Sequence, residues 1–353
     1  MTLKDIVWNL IPPIVVKLWH KIRGDSNEQK VTTKKTDKEL IFEYINEVNR
    51  RKNLSLDNIK DLASPILGQE LYNDLGQNII SLGDPEPILY GNYYVLCKYA
   101  DIFCNIIPQG LKLQHGCWFE GRLPNEAYLS YNSYICWGES EKIYSQQFFK
   151  SPVYAIGAPF FYANSLLNEE FFLAEKKRLG YNLLVFPSHS SNAFNIKYNI
   201  GDFIDYIKSE QKKFQTVRIC LYWADVQKGL DKIYKENGFE CICAGHIGDL
   251  YFLNRLRTFI ELSDCTMSND FGSHIGYSLF LNKPHNIYSQ SVSDSELKTM
   301  SQNIINDINS AKLLFSNNND YIITKEQKEF VDKYWGISQI KSPNELAKIL
   351  LGN

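Results

Sequence analysis

Four short segments of this chain gather hydrogen-bonding residues where apolar runs end. In Leu113-Gln114-His115-Gly116-Cys117-Trp118-Phe119-Glu120-Gly121-Arg122 a predicted strand runs into a His-Gly turn. Histidine takes up a proton near neutral pH and glycine lets backbone approach a ligand, so His115 and Gly116 suit acid-base chemistry; an ordinary surface turn uses the same residues. A second strand end, Val185-Phe186-Pro187-Ser188-His189-Ser190-Ser191-Asn192, carries hydroxyls and an imidazole. Ser188, His189 and Ser190 suit phosphate or ribose oxygens, although the composition is also that of a plain loop. The third segment runs from Ser263 to Tyr277, with a strand ending at Ser268 and a helix predicted from Phe271. Ser268, Asn269, Gly272, Ser273 and His274 then surround a helix start whose free N–H groups and positive dipole end attract an anion, with N-capping by Ser268, Asn269 or Asp270 as the simpler role. The fourth is Ala244-Gly245-His246-Ile247-Gly248-Asp249, which places His246 on a donor-side loop.

What is missing narrows the chemistry. No Asp-x-Asp pair stands at a strand end, and Asp202 to Asp205 falls inside a predicted helix, so no Mg²⁺ or Mn²⁺ site and no cofactor is expected. Nucleophile-elbow, P-loop and dinucleotide fingerprints are absent, against hydrolase, NTPase and dinucleotide-enzyme functions. Eight cysteines show no Cys-x-x-Cys pair and are expected to be mostly buried, reduced thiols; Cys241 and Cys243 share one face of a predicted strand. With 38 basic against 40 acidic residues, no nucleic-acid partner is expected. Aromatic residues make up 14% of the chain, which suits a carbohydrate-handling surface as well as a core.

The elements that must position these segments are legible in the spacing of apolar runs. Predicted strands are Ile88–Tyr94, Leu111–His115, Tyr134–Trp137 and Val153–Ile156, after a helical stripe beginning at Glu39. Beyond Gly180, strands Asn182–Phe186, Val217–Trp223, Glu240–Ala244, Cys265–Ser268 and His285–Tyr288 alternate with helices Ile200–Lys213, Gln227–Asn237, Leu250–Leu262, Phe271–Leu281 and Asp294–Ile308. This alternation predicts an α/β fold with parallel sheets covered on both faces. The 353 residues accommodate two Rossmann-like domains, an acceptor-side unit at 39–172 and a nucleotide-donor-binding unit at 173–324, with a helical tail at 325–353. Ligands sit at the carboxyl ends of parallel strands, so the chemistry belongs in the cleft between the two units.

Residues 1–23 stand apart. Their charge-free run, Ile6 to Val16, is too short for the roughly 20 residues of a spanning helix, and no small-residue cleavage site follows. Val7, Ile11, Ile14, Val15 and Leu18 share one side, Pro12-Pro13 divides the segment, and Lys4, Lys17, Lys21 and Arg23 against Asp5 leave +3. With Trp8 and Trp19 this predicts an amphipathic segment lying in a membrane interface, on a body carrying −5; packing on the protein's own surface is the alternative. Residues 24–38 have the composition of a linker.

The order His115-Gly116, then Ala155-Ile156-Gly157-Ala158-Pro159, then Phe186-Pro187-Ser188-His189, then Leu262-Ser263-Asp264 to Lys283-Pro284, resembles the GT-B superfamily of inverting, metal-independent transferases. It is most similar to enzymes of bacterial capsule, O-antigen and teichoic-acid polymers, including CDP-glycerol glycerophosphotransferases. The resemblance implies a GT-B-like fold of two facing Rossmann-like domains and a peripheral enzyme on the inner, cytoplasmic face of the membrane. Its donor would be a nucleotide sugar and its acceptor a lipid-linked or growing saccharide. His115 or Glu120 would be the general base. Ser268, Asn269, Gly272, Ser273 and His274 would hold the donor phosphate, with Gly116, Ser188, His189, Ser190 and His246 supporting the donor. The helix start Ser268-Asn269-Asp270-Phe271-Gly272-Ser273-His274 departs from the Asp-Tyr-Ser-Ser of the glycerophosphate enzymes, which favours a sugar donor. Polyol-phosphate transfer on the same fold and a non-catalytic scaffold subunit are the alternatives.

Overall fold

The computed structural model describes residues 37–65, 86–104, 110–117, 119, 131–189, 197–290, 302–316, 318 and 320–352. The expected interfacial segment 1–23 and most of the linker 24–38 lie outside them. Helices α1 (Asp37–Lys52) and α2 (Ile59–Ala63) precede a 3-10 turn at Glu86–Gly91 and α3 (Asn92–Tyr99). A three-stranded sheet follows, made of β1 (Leu111–Leu113), β2 (Ser133–Cys136) and β3 (Val153–Ala155), with α4 (Glu139–Ser145) between the last two. Helix α5 (Glu169–Leu179) leads to a five-stranded sheet of β4 (Asn182–Phe186), β5 (Thr216–Leu221), β6 (Glu240–Cys243), β7 (Cys265–Ser268) and β8 (His285–Ile287). Its connections contain α6 (Ile200–Gln211), α7 (Trp223–Gln227), α8 (Leu230–Glu236), α9 (Phe252–Leu262) and α10 (His274–Phe280). Helices α11 (Gln302–Phe315), α12 (Lys325–Trp335) and α13 (Pro343–Leu351) come after β8.

All pairings are parallel, in the orders β1-β2-β3 and β6-β5-β4-β7-β8. The chain therefore has the α/β fold with parallel sheets that the alternation predicts. Strand β4 is central and buried along its whole length, and its side chains divide by parity. Leu183 and Val185 join a core with α2, α6 and α7, through Ile59, Phe203 and Trp223. Leu184 and Phe186 face the other way, into a core shared with Leu113, Ile135 and Trp137 of the smaller sheet. One continuous apolar cluster thus joins the two sheets.

Three expectations need correction. Ile88–Tyr94 is not a strand: Tyr90 (φ 59°) and Gly91 (φ 73°) are left-handed, which turns the chain into α3. The helix expected over Gln227–Asn237 begins only at Leu230, because left-handed Gly229 (φ 84°) separates it from α7, which ends at Gln227. The helix expected from Phe271 begins at His274.

Packing also crosses the expected boundaries. Leu62 after α1 accepts from the His246 backbone, and Arg51 of α1 reaches Asp249, so these N-terminal helices lie on the larger sheet. Helix α12, opened by a Thr324–Gln327 capping box and ended by left-handed Gly336, brings Trp335 against the smaller sheet, where its carbonyl accepts from Ala158.

Candidate active site at the facing strand ends

From β4 the chain builds β5 and β6 on one side, then β7 and β8 on the other. The strand order thus reverses between β4 and β7, and in open parallel sheets the ligand crevice lies at the carboxyl ends of the strands at such a point. The walls are Pro187-Ser188-His189 and Asn269-Asp270-Phe271-Gly272-Ser273, two of the segments singled out above. Ser190 and Glu120 lie outside the described residues.

Asn269 ties the loops together. Its Oδ1 accepts from the Ser188 backbone N–H at 2.6 Å and the Ser188 hydroxyl at 2.9 Å, and its Nδ2 donates to Gln290 at 2.8 Å. Ser268 is engaged below it, donating to the Asp270 carbonyl at 2.6 Å while lying 3.0 Å from His285 Nε2. The other ring nitrogen of His285, Nδ1, lies 2.8 Å from Thr266 Oγ1, whose hydroxyl also reaches the Pro284 carbonyl at 3.3 Å, so the ring is held between two hydroxyls of β7. Burial, and then neighbouring His274, hold His285 well below the usual histidine range, consistent with a neutral ring in this relay. Asp270 is paired to Lys312 of α11 at 2.5 Å. None of Ser268, Asn269 or Asp270 caps α10. The N-cap is Ser273, without a side-chain cap bond, because the three preceding polar side chains brace the loop itself.

His274 stacks on Phe186 with ring centroids 4.7 Å apart. Its ring folds back over Gly272, where an added Cβ would stand 2.6 Å from Cε1; only glycine leaves room for it. His274 Nε2 is buried with no hydrogen-bond partner. Burial, and then the charge of His189, press its pKa down to about 3, so the ring is neutral at pH 7 and can offer one N–H but no positive charge. His189 itself is exposed and stacks on Tyr222 at 4.2 Å, and the Tyr222 hydroxyl meets that of Tyr90 at 3.2 Å.

The smaller sheet delivers its strand ends to the same place. Gln114, immediately after β1, accepts from Trp137 N–H at 2.8 Å and donates to the Gly116 carbonyl at 2.7 Å, which sets the turn carrying half-buried His115. The next residue closes the distance between the sheets, as Cys117 N–H donates to Ser273 Oγ at 3.0 Å. Phe119 meets Phe271 with centroids 5.1 Å apart. From behind, Trp335 Nε1 donates to the Ser273 carbonyl at 2.9 Å, while its ring lies where any side chain on Gly276 would be.

The structure thus brings together His115, Gly116, Ser188, His189, Ser268, Asn269, Gly272, Ser273 and His274. His246 stands apart: it is 1% exposed, packs on Trp223 at 4.2 Å and accepts from Gly248 N–H, so its ring is closed to a ligand. Gln114, Tyr90, Tyr222 and His285 were missed. His285 had no local signal: Thr266 and Ser268, two apart on β7, face it only because β7 and β8 are neighbours. Among the described residues no group of three or more His, Cys, Asp or Glu could hold a metal ion, and no helix is long and apolar enough to cross a membrane.

No family model and no curated protein matches the chain. Among solved structures it is similar to the wall teichoic acid polymerase TagF, at 11% identity over 69% of this chain and 67% of that one, with a TM-score of 0.40. It is also similar to S. aureus MnaA solved with UDP (13% identity, 63% and 60% of the chains, TM-score 0.34). A third is the UDP-GlcNAc 2-epimerase of Methanocaldococcus jannaschii (12% identity, 81% and 82% of the chains, TM-score 0.37). These are distant likenesses, and the reading of the site rests on the geometry above.

Proposed function

We propose that the chain is an inverting, metal-independent glycosyltransferase that moves a sugar from a nucleotide sugar to a lipid-linked or growing bacterial surface polysaccharide. It works at the inner face of the membrane, with residues 1–23 lying in the interface. The observation that carries this reading is the convergence of both sheets' carboxyl ends on Ser273 and His274, with a proton acceptor on one side and uncharged donors on the other.

In this reading His115, or Glu120, takes the proton of an acceptor hydroxyl as its oxygen bonds to the anomeric carbon. The bond from that carbon to the donor phosphate breaks, and the nucleoside diphosphate leaves with the electron pair. His274 stays neutral and meets the leaving charge with an N–H, helped by Ser273 and by His189, which Ser188, bonded to Asn269, holds across the crevice.

Incubation with a panel of nucleotide sugars and a lipid-linked acceptor, with product analysis by mass spectrometry, tests the proposal. A glycoside product that disappears in His115→Ala supports it. A phosphodiester would reassign the chain to polyol-phosphate transfer, and failure to bind any nucleotide would make it a scaffold.

A further inference from the structure

A cavity of about 500 Å³ opens at the outer edge of the larger sheet, where the end of β8 meets α6 and α11. It adjoins the crevice without belonging to it. Lys312 of α11 is the partition, since it lines the cavity and pairs with Asp270 of the crevice wall at 2.5 Å. One side of the cavity is aromatic. Tyr206 of α6 stacks on Tyr288 with centroids 4.1 Å apart and planes at 15°, and Phe203 lies parallel to Tyr288 at 6.0 Å. The Tyr206 hydroxyl is held in place as well: it accepts from Asn286 Nδ2 at 3.1 Å, which leaves its own proton to donate. The other side is α11. Its Leu313 is 77% exposed, and the Asn309 amide stands one turn earlier on the same face. Ser316 Oγ gives its proton to the Lys312 carbonyl at 2.6 Å and is left as an acceptor.

Two features set the class of ligand. The first is charge: among the described residues no carboxylate lines the cavity, and the Lys312 ammonium is already matched by Asp270, so neither an anion nor a cation finds an unpaired partner. The second is the mixture of surfaces. A fixed aromatic ring and an open aliphatic side chain stand beside groups that donate, accept or do both. That is the complement of a pyranose, whose C–H faces are apolar and whose rim of hydroxyls both gives and takes hydrogen bonds. We infer that this cavity is a saccharide-binding subsite, which holds a neutral sugar unit remote from the reacting end. That the unit belongs to the acceptor rests on the transferase reading above, whereas the affinity for a saccharide does not.

The experiment is saturation-transfer NMR on the full chain with neutral tetrasaccharides of glucose, galactose or N-acetylglucosamine, followed by titration of those that bind. At least one should bind, and excess UDP should not displace it. Leu313→Ser should weaken binding about tenfold and Asn309→Ala about threefold, and because both side chains are exposed on α11 the Tm should not change. Tyr206→Ala should weaken it about tenfold, and His274→Ala should leave it unchanged. Absence of binding, or binding that Leu313→Ser, Asn309→Ala and Tyr206→Ala all leave intact, overturns the subsite while leaving nucleotide binding in the crevice to stand or fall by its own titration. Uridine or cytidine binding that Leu313→Ser abolishes overturns it in favour of a nucleoside pocket. Saccharide binding lost in Leu313→Ser, by a chain that turns over no nucleotide sugar, upholds the subsite and removes the transferase reading instead.

Discussion

At the residue scale, three buried histidines set an acid limit on the fold. His246 and His274 are each held down to about 3 and His285 well below 6.5, chiefly by burial. A histidine that is neutral when folded but ordinary when unfolded binds more protons in the unfolded state between pH 3 and 6.5. Stability is therefore full above pH 6.5 and declines as pH falls through that window, by up to about 1.4 kcal/mol per pH unit for each ring. Urea midpoints measured at a series of pH values should fall below pH 6.5, less steeply in His246→Gln; a flat profile contradicts the burial. Catalysis has its own residue. His115→Ala should lower kcat by about 10²-fold or more with nucleotide affinity retained; undiminished turnover would transfer the base to Glu120.

At the scale of elements, the site depends on how the β7–α10 loop is braced. Ser268→Ala removes the partner of His285 Nε2 and leaves that buried ring nitrogen unsatisfied, a loss of about 1–3 kcal/mol. Gly276→Ala forces a methyl into the Trp335 ring and should destabilise by about 1–3 kcal/mol, measurable as a lowered Tm. A Gly276→Ala chain as stable as wild type would mean that α12 does not pack as described. These elements also show what the sequence carried. Strand β4 was legible to the residue because the continuous apolar run Leu183–Phe186 ends in a polar turn, and β6 and β7 nearly so because they are short segments set between helical patterns. Ile88–Tyr94 was misread because a short apolar run does not distinguish strand from helix, and the left-handed Tyr90 is set by its contact with Ile247. The candidate loops after β1, β4 and β7 were found by their composition. The relay through His285 was not, because a lone histidine on a buried strand signals nothing until its parallel neighbour is known.

At the scale of the whole molecule, the two sheets are joined by exchanged segments as well as by a shared core. Helix α1 is locked to the larger sheet through buried Arg51, Asp249 and Arg255, α12 returns to the smaller sheet, and α13 packs on α3. A chain ending at Ile323 should therefore lose cooperative unfolding, because Trp335 and Leu346 leave the core that both sheets share. Deleting residues 1–23 should leave folding and nucleotide affinity intact and reduce binding to anionic liposomes; unchanged liposome binding would remove the interfacial segment from the account. On the proposed function, the crevice between β4 and β7 holds a nucleotide-bearing donor. Calorimetric titration of the full chain with UDP, CDP and CMP tests it most directly. One site is expected for at least one of the three, weakened about tenfold in His274→Ala. No binding by any of them, or an affinity that His274→Ala leaves unchanged, contradicts it.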